Sequence, residues 1–219
     1  GVTEALYDAG AASGIPLIHV STDYVFDGSK DGFYREDDPI APLGVYGASK
    51  QAGEQAVRTG NRRHVILRTA WVVSPHGSNF VKTMLRLAQT RPELGVVDDQ
   101  RGCPTSATDI AGALLAITQR LVASPAAPTG VYHFVNQGEA TWCEFARAIF
   151  ALAAKRGHPA PKVNAIATAD YPTPARRPAN SRLDVAKLAR DYAIMPRPWQ
   201  AALEDIVATL LPVNQEQEN

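Results

Sequence analysis

Three apolar runs that lack polar alternation constrain this chain more than any other feature of its sequence. They are Pro16–Ser21, His64–Thr69 and Gly130–Val135. A strand wetted on one side alternates apolar with polar residues, whereas a strand covered on both faces can be apolar throughout. Doubly covered strands belong to parallel sheets, because parallel neighbours are joined by helical crossovers that lie on the faces. Segments with helical periodicity stand between the runs: Tyr46–Thr59, Asn79–Thr90, and one that Thr105 or Ser106 can cap and that ends near Val122. The alternation predicts an α/β fold with a doubly wound, Rossmann-like parallel sheet.

Other segments fill in this plan. Val2–Ser13 is Ala-rich with Gly14 as its stop, which predicts a helix with a glycine C-cap. Asp27–Leu43, rich in Gly, Asp and Pro, predicts a long surface loop. Leu94–Val97 reads as a short strand. Thr141–Arg156 reads as a helix, its Thr141 and Glu144 matching the capping-box pattern. Beyond His158 the chain is proline-rich and Tyr171–Pro178 predicts irregular structure. Two short helices, Asp184–Tyr192 and Pro198–Leu211, then precede a polar tail.

Composition excludes several classes of partner. Lys+Arg and Asp+Glu both number 22 in 219 residues, so there is no net charge to draw a nucleic acid polymer or an anionic membrane. No apolar run reaches the roughly 18–20 residues of a membrane helix. The N-terminus carries no basic region followed by an apolar stretch. Cys103 and Cys143 are the only cysteines; they are far apart and have no metal-ligand spacing. A reducing, cytoplasmic setting is therefore expected. No His/Cys/carboxylate cluster has ligand spacing either, so no metal site is predicted.

The chemistry is concentrated in Tyr46-Gly47-Ala48-Ser49-Lys50. Residues four apart stack on one face of a helix, so the Tyr46 hydroxyl and the Lys50 ammonium can converge. A phenol is a sluggish acid–base group at neutral pH, and a nearby cation favours its ionised form. Such a tyrosine can hand a proton to a carbonyl oxygen while a hydride arrives at the carbon. Lysine also has spare donors for ribose hydroxyls. Upstream, Thr22 follows the first buried strand, and the C-terminal ends of parallel strands are where these folds bind ligands. Its hydroxyl can address the same carbonyl oxygen. Arg176 and Arg177 offer planar donor forks suited to phosphate, and the flanking prolines reduce the cost of ordering their loop.

Longer stretches carry a family resemblance. Ser21-Thr22-Asp23-Tyr24-Val25-Phe26-Asp27-Gly28, then Tyr46–Lys50 with Gly53-Glu54, resemble the extended short-chain dehydrogenase/reductases. Further matches are Arg68-Thr69-Ala70-Trp71, Asn79-Phe80, Asp99-Gln100-Arg101-Gly102-Cys103-Pro104-Thr105, and the run from Tyr171 to Ser181. Together they are most similar to the dTDP-4-dehydrorhamnose reductases. The resemblance implies reduction of the C4 ketone of dTDP-4-dehydro-L-rhamnose, with NADPH preferred over NADH. It implies a triad in which Tyr46 donates the proton, Lys50 modulates it and anchors the ribose, and Thr22 orients the carbonyl. Ser21, Tyr46, Lys50, Thr69 and Trp71 would face the cofactor. Trp71, Asn79, Gln100, Thr105, Arg176 and Arg177 would face the nucleotide-sugar. A homodimer, and a Mg²⁺ at its contact, are left open by the resemblance and are unsupported by any ligand cluster. Residues 1–135 would form the remainder of the NAD(P)-binding domain with interleaved substrate-lobe segments, and 136–219 mainly the substrate lobe.

The sequence departs from the family pattern in two places. Val73 stands where an aromatic residue is expected. A dinucleotide fold also opens with a strand, a glycine-rich turn and a helix. Gly10 and Gly14 do not supply this, because they sit at the end of a helix. The expectation is a chain that opens inside the Rossmann unit, lacking roughly three strand–helix pairs and the residue that selects NAD or NADP. That absence keeps a second reading open, a non-catalytic binding or regulatory subunit on the same scaffold. Epimerisation uses the same Tyr and Lys and also stays open. Dehydration is disfavoured, since Tyr24 follows Asp23 where an Asp-Glu pair is needed.

Overall fold

The computed structural model describes residues 14–171 and 177–212. The helix expected over Val2–Ser13, Arg176 and the polar tail lie outside the described residues. In chain order the first elements are β1 (Leu17–Thr22), α1 (Val45–Gly60), β2 (His64–Thr69), β3 (Val72–Val73), α2 (Phe80–Ala88) and β4 (Glu93–Val97). Next come β5 (Arg101–Gly102), β6 (Thr105–Ser106), α3 (Ala107–Ala123), β7 (Gly130–His133), β8 (Ala140–Thr141) and α4 (Trp142–Ala154). The described chain closes with β9 (Lys162–Ile166), β10 (Asn180–Ser181), α5 (Ala186–Tyr192) and α6 (Trp199–Leu210).

The three apolar runs form one parallel sheet in the order β1-β2-β7, with Thr22 opposite Thr69 and Leu67 opposite Tyr132. Side chains of β2 alternate between two covered faces. Ile66 and its neighbour Val131 pack on Val57 of α1. Val65, Leu67 and Tyr132 pack on Ile117 and Leu121 of α3 and Leu188 of α5. Helices on both faces explain why polar residues are scarce in these strands, and the doubly wound expectation holds.

A second core is assembled from segments distant in sequence. Strand β4 pairs in parallel with β9, Leu94 opposite Val163. Helices α2, α4 and α6 close over this pair, burying Val81, Met84, Phe145, Ile149, Trp199 and Leu203. The strand β9, in the proline-rich stretch after His158, was not among the elements expected from the sequence. Its residues Lys162-Val163-Asn164-Ala165-Ile166 are partly exposed and have little apolar pattern. Pairing with β4, rather than local preference, makes them a strand.

Side-chain caps set the helix starts. Ser106, not Thr105, caps α3 by accepting from the Asp109 N–H. Thr141 and Glu144 form the expected capping box at α4, with bonds of 3.0 Å and 2.7 Å. Each cap contributes about 1 kcal/mol. Among the described residues no helix is long and apolar enough to cross a membrane, and no cluster of three or more His, Cys, Asp or Glu could hold a metal ion.

Candidate active site

The C-terminal ends of β1 and β2 bring Ser21, Thr22 and Thr69 side by side. Helix α1 lies over this edge, and its approach depends on Gly47. A Cβ there would stand 2.1 Å from the Tyr24 carbonyl oxygen and 2.9 Å from Pro42 Cβ. The close contact sets the Tyr46 ring edge-on to Tyr24, centroids 5.7 Å apart. One turn on, the Lys50 ammonium donates to the Val20 carbonyl at 2.7 Å. One turn further, buried Glu54 meets the buried Arg68 of β2. A single face of α1 therefore presents Tyr46 and Lys50 to the strand ends.

Those side chains line a cleft of 530 Å³ together with Ser21, Thr22, Asp23, Thr69, Trp71 and Arg177. The Thr22 hydroxyl donates to Asp23 Oδ1 at 3.0 Å and accepts the Tyr24 N–H at 3.2 Å. Asp23 is only 3% exposed. Burial pushes its carboxyl up to about 6, with the Ser181 and Thr22 hydroxyls pulling the other way. Among the described residues, Ser21 Oγ and Thr69 Oγ1 are buried with no hydrogen-bond partner. Unpaired buried hydroxyls are costly and call for a polar ligand group. At the end of a parallel sheet, beside the Lys50 ammonium, they fit the amide and ribose hydroxyls of a nicotinamide nucleotide.

A larger cleft of 1210 Å³ opens next to the first, and Arg177 lines both. Its walls include Phe80, Met84 and Leu87 of α2, Val96 of β4, Gln100, Trp142, Thr168 and Tyr171. Trp71 and Trp142 are stacked at the boundary, centroids 3.5 Å apart and planes within 10°. Trp71 occupies the left-handed region with φ 48°, a strained conformation for a bulky residue. Gly102 makes room for it, since a Cβ there would lie 2.3 Å from Trp71 Cε2. Gln100 Nε2 donates to Thr168 Oγ1 at 2.9 Å, and Thr168 is itself held by Asp99.

The expected site residues thus divide. Ser21, Thr22, Tyr46, Lys50, Thr69, Trp71 and Arg177 meet at the small cleft, and Gln100 reaches the large one. Asn79 and Thr105 line neither. The Asn79 side chain caps α2, accepting from the Lys82 N–H and donating to the Ser74 carbonyl at 2.7 Å. Thr105 is fully buried and donates to the Cys103 carbonyl at 2.8 Å. Arg176 lies outside the described residues. Sequence reading missed Trp142; its signal was a large aromatic residue in the first turn after the capping box.

A phenol and an ammonium carried on one helix face above a strand-end hydroxyl of a parallel sheet define the class, an oxidoreductase built like the extended short-chain dehydrogenase/reductases. Within that class, the chain belongs to the family described as the RmlD substrate binding domain, whose sequence profile matches residues 1–211. It is 49% identical to the dTDP-4-dehydrorhamnose reductase of Sinorhizobium fredii (strain NBRC 101917 / NGR234) over 209 residues, 95% of this chain and 71% of that one. A crystal structure of a dTDP-4-dehydrorhamnose reductase from Clostridium acetobutylicum superposes with a TM-score of 0.85 at 34% identity, covering 95% of this chain and 70% of that one. The Bacillus anthracis enzyme of the same name, solved in complex with NADP, gives 0.84 at 34% identity, covering 93% and 69%.

Proposed function

We propose that this chain reduces the C4 ketone of dTDP-4-dehydro-L-rhamnose to the alcohol of dTDP-L-rhamnose, as part of nucleotide-sugar biosynthesis. The single observation that carries this reading is the convergence of Thr22, Tyr46 and Lys50 on one cleft that adjoins a second, nucleotide-sized one through Arg177. When bound, NADPH supplies the hydride. Tyr46 gives its hydroxyl proton to the ketone oxygen as negative charge develops there. The Lys50 ammonium, one turn along the same face of α1, offers donors to a ribose. Thr22 holds the carbonyl oxygen, and Ser21 and Thr69 satisfy polar groups of the nicotinamide side.

The sugar occupies the small cleft against Trp71, whose flat apolar face suits a pyranose ring. Arg177, at the junction, takes the diphosphate with its guanidinium fork. The nucleoside lies in the large cleft, within reach of Gln100. On this reading the first core with its strand ends serves the cofactor, and the core of α2, α4 and α6 serves the substrate. The working compartment is the cytoplasm, where NADPH is held. Retention of all three catalytic groups on one cleft favours this role over a non-catalytic subunit. The test is loss of NADPH absorbance with dTDP-4-dehydro-L-rhamnose as substrate. Absence of turnover in the wild type, with nucleotide-sugar and NADPH both bound, overturns the reading.

A further inference from the structure

The Thr22 hydroxyl has one hydrogen to give and two lone pairs to accept with. Its hydrogen goes to Asp23 Oδ1, and one lone pair takes the Tyr24 N–H. A ligand in the small cleft is left with a single lone pair. A ketone oxygen only accepts, so it finds no partner at Thr22 in this arrangement. An alcohol hydroxyl, which donates, does. One proton on Asp23 reverses the pattern: the carboxyl then donates to Thr22, both lone pairs are filled, and the Thr22 hydrogen is free to turn into the cleft.

We propose that Asp23 is a positioning residue that sets the direction of the Thr22 hydroxyl, making it a donor to the substrate ketone when Asp23 is neutral and an acceptor for the product alcohol when Asp23 is ionised. The proposal rests on the reductase reading above. Its geometric basis is a carboxylate that is 3% exposed and bonded through Oδ1 to the Thr22 hydroxyl, with the Ser181 hydroxyl of β10 as its other polar neighbour. The titratable groups around it are Tyr24 on its own turn, Cys103 between β5 and β6, Tyr46 and Lys50 on α1, and Arg177 beside β10. No ion pair to Asp23 holds it ionised among the described residues. Burial, the largest influence on it, favours the neutral acid up to about pH 6.

The experiment is a set of pH–rate profiles of ketone reduction by the NADPH-loaded holoenzyme for wild type, Asp23→Asn, Thr22→Val and the double variant. Asparagine has nearly the shape of aspartic acid and cannot ionise, so its amide donates to Thr22 at every pH. Wild-type kcat should fall about tenfold across the ionisation of Asp23, the effect of one hydrogen bond to a developing alkoxide. Asp23→Asn should lose that limb. With Thr22→Val, aspartate and asparagine at position 23 should give one and the same profile. Calorimetric titration with dTDP-L-rhamnose reads the product side without turnover: affinity should rise about tenfold with pH in the wild type and stay flat in Asp23→Asn. A wild-type limb that survives in Asp23→Asn, or that persists in Thr22→Val, overturns the role of Asp23 and leaves the reductase reading standing. A wild type that turns over no ketone at any pH takes down both.

Discussion

The Arg68 guanidinium grips the Glu54 carboxylate through two hydrogen bonds, Nε to Oε1 at 2.8 Å and Nη2 to Oε2 at 2.7 Å, with both side chains buried. Glu54 lies one turn beyond Lys50 and two beyond Tyr46, on the same face of α1. Arg68 belongs to the central strand of the sheet. The pair therefore fixes the rotation of α1 about its own axis, which packing of Val57 alone would leave looser.

Breaking this pair should cost both stability and turnover. Arg68→Met leaves the buried Glu54 carboxylate with only the partly exposed Arg58 guanidinium at 3.2 Å as its counter-charge, a loss toward the low end of about 3–5 kcal/mol in urea unfolding. The double variant Arg68→Met/Glu54→Met should lose much less than the sum of the two single changes. Additive losses would show that the two groups act separately.

Tyr46→Phe should lower kcat about a hundredfold to ten-thousandfold, the range for a positioned proton donor, with little change in the dissociation constant for NADPH. Stopped-flow single turnover separates the chemical step from product release. A rate within a few-fold of wild type would remove Tyr46 from the acid role.

Arg177→Ala should raise KM for the nucleotide-sugar about tenfold to a hundredfold, the worth of a charge-assisted contact to phosphate. The change in kcat should be smaller, because the diphosphate contact is the same in ground and transition states. An unchanged KM would place the diphosphate elsewhere.

Gly102→Ala should disturb substrate binding more than folding. Its methyl would overlap the Trp71 indole, which is already sandwiched against Trp142. Displacing the indole costs about 1–3 kcal/mol by overpacking and lets φ of Trp71 relax. The measurable signs are a weakened affinity for dTDP-L-rhamnose and a changed near-ultraviolet dichroism of the tryptophan pair.

His133 and Asp23 should give opposite pH dependences to stability. Burial, aided by the Arg68 charge, lowers the His133 imidazole to about 3, so it is neutral in the folded state. The unfolded chain binds the extra proton between about pH 3 and the reference value near 6.5. Folding stability on this account is full above that reference and is lost as pH falls through the window. His133→Gln should flatten that acid limb. Asp23, raised to about 6, works the other way, because the folded state holds its proton more tightly and stability falls as pH climbs from about 4 to about 6. Asp23→Asn should therefore gain stability at neutral pH and none below about pH 4. Urea midpoints measured across this range check both signs.

The three sheet strands, the helices between them and the capping box at Thr141 were legible in the chain because each depends on neighbours within a turn or two. Periodicity and caps are local properties, and the Tyr46/Lys50 spacing is a local property of one helix. Long-range contact decided the rest. Strand β9 exists because β4, far upstream, offers it an edge. Asn79 at a helix start and Thr105 in β6, bonded to the Cys103 carbonyl, are the exceptions: their bonds are local, but their residue types allow other uses equally. Trp142 stacks on Trp71 from a helix far downstream in the chain, and Asp23 is buried with Ser181 of β10 beside it. Hydrogen bonds and burial between residues distant in sequence are set by packing, and an unfolded chain carries no local pattern that encodes them.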